Sequence, residues 1–350
     1  MRIKYIGYSD DLSHPADRRR SAILMKSLDI EFVGNSEKSY DAIVLSGNAN
    51  FYKNIRNESR PIVIDLVDGY LNGETSLLKD ISRNLLRSRY GKSEAKFLTY
   101  TRHIEYALSR ADAVVVPSIE LAKLIYPFCG NVFVIPDDHS ELQHENPEEV
   151  MQVQNNSRSF LWEGFGSNLK HLFSIAPQLD ELLGNTQHEL IIVSERFLYR
   201  WGNVLGKKDT LKQIETHFPL SFSKVRFMDW SLVNIKLAAK ISKFAIIPIS
   251  KNDLFASLKS ENKLLSAWSM SLPVFVSPTD SYLRMLNLLE LNGMAVSENW
   301  GSAVGTALEK GSDLIQVRAR ISEYIRLSHT QEELLGKWRY VLNSVLKKCN

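Results

Sequence analysis

Short apolar runs alternate with longer amphipathic stretches along the chain. In its first part, the runs that predict strands are 2–8, 31–34, 40–47, 61–68, 113–118 and 132–137. The stretches between them that predict helices are 17–28, 74–89, 97–110 and 118–126. Strands that are rich in Val and Ile and are separated by helices are typical of a parallel sheet covered on both faces.

The same alternation restarts after a polar, acidic segment at 137–159. Further strands are predicted at 159–164, 188–194, 224–230, 244–250, 272–277 and 293–297. Further helices are predicted at 167–183, 232–242, 260–270, 281–290 and 300–309. Because segment 137–159 has almost no strand-forming residues, we interpret it as the connection between two domains.

The predicted fold class is therefore α/β, with two Rossmann-like doubly wound domains that face a central cleft. Residues 1–150 form the first domain and residues 151–326 the second. Residues 327–350 are predicted to form a helix that crosses back to the N-terminal domain. Its apolar positions, 334, 335, 338, 341, 342 and 345, share one helical face.

Composition narrows the classes of partner. A length of 350 residues suits two domains, and a net charge of +3 gives no reason to expect nucleic acid. The two cysteines, Cys129 and Cys349, make no disulfide framework. The sequence shows neither a signal-peptide pattern nor an apolar run of membrane-spanning length, which predicts a cytoplasmic protein.

The stretch KSENK (259–263) gathers polar and charged residues at the start of a helix whose remainder is apolar. A helix N-terminus presents unpaired N–H groups and a partial positive charge, which suit an anion. The predicted phosphate site comprises Lys259, Ser260, Glu261, Asn262 and Lys263. The alternative is that Ser260 is an ordinary N-cap and the lysines are solvated.

Four segments resemble, in order, the C-terminal domain of GT-B glycosyltransferases, in particular the bacterial nucleotide-sugar-dependent (family 4-like) enzymes. They are LWEGFGSNLKHL (161–172), HELIIVSE (188–195), VRFMDWSLVNIKLAAKISKFAIIPI (225–249) and KSENKLLSAWSMSLPVFVS (259–277). In the N-terminal half, 62–70 and 110–125 resemble the family more weakly. The resemblance implies that a nucleoside diphosphate rests on the helix that follows KSENK.

Further donor-site residues follow from this setting. Gly164, Gly166 and Ser167 open the facing helix, where glycines let backbone approach a ligand or make a plain tight turn. Glu195 ends a strand and is predicted to accept hydrogen bonds from a ribose or sugar hydroxyl, with a solvated loop residue as the alternative. Trp230 is predicted either to border the base of the nucleotide or to belong to the core.

The sequence also departs from the family pattern. Many relatives carry two glutamates around this helix, with seven residues between them. Alignment on Pro273 places Leu258 and Ser266 at these two positions, and Glu261 lies nearby as a substitute for one of them. These changes leave both the transferred sugar and the stereochemical outcome open.

On the acceptor side, Asp68 is predicted to reach the cleft as a base or as a ligand of a hydroxyl, whereas Asp65 is structural. Because D-x-x-D is not the metal-binding D-x-D pattern, no essential metal and no cofactor are expected. Residues 79–110 hold eight Lys or Arg against three Asp or Glu. They either face a lipid-linked acceptor at the inner face of the membrane or form a solvated surface.

The predicted function is a glycosyltransferase (hexosyltransferase-like). It moves a sugar from a nucleotide-diphosphate donor to a saccharide or lipid-linked acceptor, in bacterial surface-polysaccharide biosynthesis. The alternatives are a non-catalytic nucleotide- or sugar-binding module of the same fold, and a GT-B-type epimerase.

Overall fold

The computed structural model describes residues 1–25, 30–33, 39–69, 71, 76–199, 206–250, 253, 259–309 and 312–347. The chain forms two compact units. Unit 1 contains Met1–Asp138 and His329–Asn350, together with the short segment Leu258–Asn262. Unit 2 contains His139–Ser257 and Lys263–Ser328. Each unit is built on its own parallel sheet, which is the predicted fold class.

The sheet of unit 1 has six parallel strands in the order β2-β1-β3-β4-β5-β6. The strands are β1 (Arg2–Ile6), β2 (Glu31–Val33), β3 (Ala42–Ser46), β4 (Ile62–Asp65), β5 (Ala113–Val116) and β6 (Val132–Val134). The α-helices are Pro15–Met25, Phe51–Ile55, Leu77–Arg89, Tyr100–Leu108, Ile119–Ile125 and Gln331–Lys347. The strand order reverses between β1 and β3.

Successive residues of these strands are buried in two different clusters. Ile43 and Leu45 pack with the helices Phe51–Ile55 and Tyr100–Leu108. Ala42 and Val44 belong to the opposite cluster. Because side chains alternate across a strand, these two clusters are the two covered faces of one sheet.

The helix Gln331–Lys347 covers one of these faces. Its buried residues are Leu334, Trp338, Val341, Leu342 and Val345, and they pack against Ile3, Tyr5, Val44, Val63 and Val115. The apolar spacing in the sequence is therefore the packing face of the helix.

A buried charge network lies beneath this helix. Arg20 donates from Nε to both carboxylate oxygens of Asp65 at 2.7 Å and from Nη1 to Asp137 at 2.6 Å. Its guanidinium lies 5.7 Å from the Trp338 ring centre. Arg20 is 1% exposed and Asp65 is fully buried, so Asp65 has the structural role that the sequence predicts for it.

The main sheet of unit 2 has five parallel strands in the order β11-β8-β7-β12-β13. The strands are β7 (Ser159–Glu163), β8 (Glu189–Ser194), β11 (Val225–Asp229), β12 (Ala245–Ile247) and β13 (Val274–Val276). The α-helices are Pro147–Asn156, Leu169–Phe173, Ala176–Gly184, Thr210–His217, Leu232–Lys240, Asn262–Ser269, Asp280–Leu288, Trp300–Glu309 and Ser312–Ser328. Here the strand order reverses between β7 and β12.

The structure differs from the predicted elements of this unit at several places. The helices Thr210–His217 and Ser312–Ser328 were not predicted. The strand predicted at 293–297 is a single parallel bridge between Val276 and Ala295, preceded by the 3-10 turn Asn292–Met294. The helix predicted at 167–183 is interrupted before Pro177, because proline favours the first turn of a helix. An antiparallel pair, β9 (Phe197–Tyr199) and β10 (Lys207–Asp209), was not predicted.

Segment 137–159 is also more ordered than a connection, since it contains the helix Pro147–Asn156. Gln154 of this helix is fully buried and donates to the carbonyl oxygens of Ala239 and Met270. It accepts a hydrogen bond from Nε of Arg318 at 3.1 Å. These buried contacts attach the helix to unit 2, and the boundary between the units falls at Asp138.

No helix in the described part of the chain combines the length and the apolar character needed to cross a membrane.

The Arg20 network makes a prediction about stability and pH. Arg20→Leu leaves Asp65 and Asp137 buried without their cation, which should cost about 3–5 kcal/mol in the free energy of unfolding near pH 8. Burial already raises the pKa of Asp65, and Arg20 opposes that effect. Without Arg20 the folded state therefore retains protons that the unfolded state releases, so stability is lost as pH rises.

The deficit of the variant should accordingly be smaller near pH 5 than near pH 8, as measured by urea unfolding at both values. Arg2→Leu is the matched control, because Arg2 pairs with Glu31 at the surface of the same unit. It should change stability by less than about 1 kcal/mol. An equal deficit for Arg20→Leu at both pH values would contradict this account of the network.

Candidate functional site

The reversal of strand order in unit 2 defines the place where a ligand is expected. In doubly wound sheets, ligands bind beyond the carboxyl ends of the strands at such a reversal, because the two adjacent connections leave toward opposite faces. β7 is followed directly by Gly164, and β12 leads to the helix Asn262–Ser269. The predicted glycine loop and the predicted lysine helix thus follow the two strands that flank the reversal.

The helix Asn262–Ser269 is buried along most of its length. Leu264, Leu265, Ala267, Trp268 and Ser269 are its buried residues. Lys263, in its first turn, is half-buried and donates from Nζ to the carbonyl oxygen of Glu163 at 3.0 Å. Nζ also lies 5.6 Å from the Trp162 ring centre. The ammonium group is therefore held at the carboxyl end of β7.

Gly164 is the residue that leaves space for this lysine. A Cβ atom at Gly164 would lie 2.7 Å from Nζ of Lys263 and 3.1 Å from the Trp162 ring. At Gly166, by contrast, a Cβ atom would find no neighbour closer than 3.4 Å. A side chain at Gly164 would thus displace the lysine ammonium group from its present position, whereas one at Gly166 would not.

Glu195 makes two hydrogen bonds within unit 2, and its predicted donor-binding role stays a prediction. It follows β8, and its Oε2 accepts a hydrogen bond of 2.6 Å from the N–H of Gly166. Its carbonyl oxygen accepts another from Thr210 Oγ1 at 2.7 Å. Glu195 therefore fixes the loop after β7, and the Gly166 N–H is engaged within the protein.

Glu163 is a site residue that the sequence analysis missed. Its carbonyl oxygen holds Lys263, and its Oε1 accepts a hydrogen bond of 3.1 Å from the indole Nε1 of Trp230. Trp230 is half-buried and packs partly against the core. The only signal in the sequence was the position of Glu163 near the end of the strand predicted at 159–164.

The remaining predicted donor residues lie within a few positions of Gly164 or of Lys263 in the sequence. Ser167 is exposed, in the 3-10 turn Gly166–Asn168. Lys259, Ser260 and Asn262 are half-buried, and Glu261 is 5% exposed. The helix begins at Asn262, so Ser260 precedes it by two residues. The donor-binding roles of all these residues stay predictions.

The two positions where relatives carry glutamates differ in what the structure describes. Leu258 lies outside the described residues. Ser266 is half-buried, and its Oγ lies 3.1 Å from Nδ1 of the fully buried His139. A hydroxyl–imidazole contact therefore takes the place of the second carboxylate.

Asp68, the predicted catalytic residue, belongs to unit 1. It lies three residues after the end of β4 and is half-buried. Its negative charge acts on His14 and on Tyr100, which places it near the carboxyl edge of that sheet. Its catalytic role stays a prediction.

A cavity of about 610 Å³ lies elsewhere in unit 2. Its lining includes Phe275, Met294, Ala303, Leu314 and Asp313, and none of the predicted donor residues. Its volume alone would make it a candidate ligand site. We favour the reversal between β7 and β12 because an oriented cation and a close-packed glycine meet there.

The described residues contain no group of three or more His, Cys, Asp or Glu side chains that could hold a metal ion. Asp137, Asp138, His139, Glu141 and His144, although close in sequence, form no such group.

No family model matches the sequence, and no curated protein is significantly similar to it. Solved structures do match. HepE of Anabaena, determined in complex with UDP, has a TM-score of 0.63 and 12% identity, over 98% of this chain and 100% of that one. A glycosyltransferase of Rickettsia africae has a TM-score of 0.62 and 11% identity, over 99% and 98%.

A third match is WaaG, a glycosyltransferase involved in lipopolysaccharide biosynthesis, with a TM-score of 0.56 and 13% identity over 96% and 98% of the two chains. The chain has the GT-B glycosyltransferase fold. At this level of identity the GT-B likeness establishes the architecture, and the activity has to be argued from the residues of the site.

The geometry around Lys263 predicts that removal of its side chain weakens nucleotide binding more than it weakens the folded state. Lys263→Ala should weaken nucleoside diphosphate binding roughly ten- to a hundredfold, because a charge-assisted contact is lost. It should also lower the free energy of unfolding by about 0.5–1.5 kcal/mol, because the hydrogen bond to Glu163 is lost. Calorimetric titration with UDP and thermal melts give the two quantities.

Leu265→Ala is the matched control in the same helix. Leu265 is 1% exposed, so its truncation should cost about 2–5 kcal/mol in stability while the folded fraction keeps its affinity. If Lys263→Ala binds UDP as tightly as the wild type does, the lysine is structural and the site is misplaced.

Proposed function

We propose that the protein is a glycosyltransferase that takes a sugar from a nucleoside diphosphate donor and transfers it to a saccharide or lipid-linked acceptor. The observation that carries the proposal is the ammonium group of Lys263, held by the Glu163 carbonyl at the reversal of strand order. UDP is the first nucleotide to test, because the similar HepE structure contains it.

In this reaction the bond between the sugar and the diphosphate breaks, and a hydroxyl group of the acceptor forms the new bond to the sugar. Negative charge develops on the departing diphosphate. A cation that is already in place stabilises this charge without reorganisation during the reaction. Lys263 would supply that cation, and Asp68 would bind or deprotonate the acceptor hydroxyl.

The absence of a carboxylate at Ser266 favours a second candidate, a nucleotide-sugar-binding module without turnover. A Ser–His contact at this position cannot supply the hydrogen-bond acceptors of a carboxylate. Such a module would bind the diphosphate of a nucleotide sugar and would not break the bond between the diphosphate and the sugar. A GT-B-type epimerase, the third possibility, would change the sugar and keep it attached to the nucleotide.

Incubation with a panel of nucleotide sugars distinguishes these functions. We expect free nucleoside diphosphate to appear, faster when a saccharide acceptor is added, and equally in the presence of a chelator. Tight binding without release identifies a module, and an altered sugar on an intact donor identifies an epimerase. Activity that is lost on chelation and restored by magnesium would contradict a metal-independent transferase.

The exposed residues of one helix support a location of the protein at the membrane surface, where lipid-linked acceptors reside. The helix Leu77–Arg89 exposes Leu77, Leu78 and Leu85 to extents of 62%, 78% and 57%. Lys79, Arg83 and Arg89 lie on the same helix. Exposed leucines beside basic residues suit the interface of an anionic bilayer.

Sedimentation with vesicles containing phosphatidylglycerol tests this placement. The wild type should sediment with anionic vesicles and remain in solution with neutral ones, because both charge and apolar area contribute to binding. Leu78→Ser combined with Leu85→Ser should reduce sedimentation several-fold and leave UDP affinity unchanged. Unchanged sedimentation of the double variant would exclude this helix as the contact.

A further inference from the structure

The reversal of strand order in unit 1 also carries an oriented cation. β1 and β3 flank this reversal, and Gly47 follows β3 directly. Arg87, in the last turn of the helix Leu77–Arg89, donates from Nη2 to the carbonyl oxygen of Gly47 at 3.2 Å. A guanidinium group is therefore held where a doubly wound sheet offers its ligand crevice.

Two tyrosines shape the surroundings of this arginine. The Tyr100 ring lies beneath the guanidinium, with 4.4 Å between its centre and Cζ of Arg87. Burial raises the pKa of Tyr100 to about 12, so its hydroxyl stays protonated and donates to the Gly47 carbonyl at 2.8 Å. The hydroxyl of Tyr8, which follows β1, lies 2.8 Å from the position that a Cβ atom on Gly47 would occupy.

Part of the guanidinium is left for a ligand. Nε of Arg87 is buried and has no hydrogen-bond partner among the described residues. A buried donor without a partner is costly, and an anion that approaches along the fork of the guanidinium would satisfy it. Two opposite charges, Asp68 and Lys92, both act on His14 in the loop after β1.

We propose that Arg87 binds a phosphate group, with Tyr100 and the Gly47 carbonyl fixing the orientation of its guanidinium. The planar guanidinium group presents paired donors that match the oxygen atoms of a phosphate group. If the protein is a glycosyltransferase, this phosphate belongs to the acceptor. That last assignment rests on the proposed function, whereas the binding of phosphate does not.

Methyl phosphate is the probe, titrated by calorimetry in the presence of saturating UDP so that the Lys263 site is occupied. Arg87→Gln should weaken methyl phosphate binding by about tenfold or more. Arg89→Gln is the matched control, because it removes an equal charge from an exposed position in the same helical turn, and it should change the affinity less than twofold. Acetate should bind the wild type more weakly than methyl phosphate does.

Arg87→Lys keeps the charge and loses the fork, so its affinity should lie between those of the wild type and Arg87→Gln. Equal losses in the Arg87 and Arg89 variants would show general electrostatic attraction and overturn the proposal. A fall in melting temperature for Arg87→Gln with unchanged methyl phosphate affinity would also overturn it, since Arg87 would then be structural.

Vesicles containing phosphatidylglycerol distinguish the source of the phosphate. Displacement of methyl phosphate by these vesicles supports a lipid headgroup, and its absence supports a phosphate carried by a soluble glycan. The two proposals also fail separately. If UDP does not bind, the glycosyltransferase proposal fails, and the comparison of Arg87 with Arg89 can still be made without UDP in the Lys263→Ala background.

Discussion

The reversal of strand order in each parallel sheet is the constraint on which the sites of this protein depend. At the reversal the chain leaves neighbouring strands toward opposite faces, and the backbone carbonyl groups at the strand ends are left at an open edge. In both units a cation occupies that edge. Lys263 is bound to the carbonyl of Glu163, and Arg87 is bound to the carbonyl of Gly47. A carbonyl oxygen orients a cation without supplying a formal opposite charge, so these contacts favour anion binding.

The strands and helices that could be predicted are those whose pattern comes from burial. Apolar runs predicted both sheets because a strand covered on both faces needs apolar residues at every position. The face of the helix Gln331–Lys347 followed from its spacing of apolar residues. The single bridge at Ala295 shows the limit, since an apolar run can be buried at a sheet edge without forming a strand. The pair β9 and β10 gives no comparable signal, because β10 has the polar sequence KKD and β9 is only three residues long.

The candidate site was predictable only where one segment carried the signal. KSENK drew attention to Lys263 because its charges gather at a helix start. Glu163 and Arg87 could not be predicted, because each matters through a contact with a residue far away in the sequence. The partner of Glu163 is 100 positions away, and the partner of Arg87 is 40 positions away. Nor did the sequence indicate that the carboxylate of Glu195 accepts a hydrogen bond from the Gly166 N–H. Strand ends can therefore be located from sequence, whereas the hydrogen bonds made there require the fold.

The central claim is that the oriented lysine of unit 2 receives a nucleoside diphosphate. A crystal structure of the protein with UDP tests it most directly. We predict that a diphosphate oxygen lies within hydrogen-bonding distance of Lys263 Nζ, beside Gly164 and the first turn of the helix Asn262–Ser269. A diphosphate located instead in the cavity lined by Phe275 and Met294, or beside Arg87, would contradict the account.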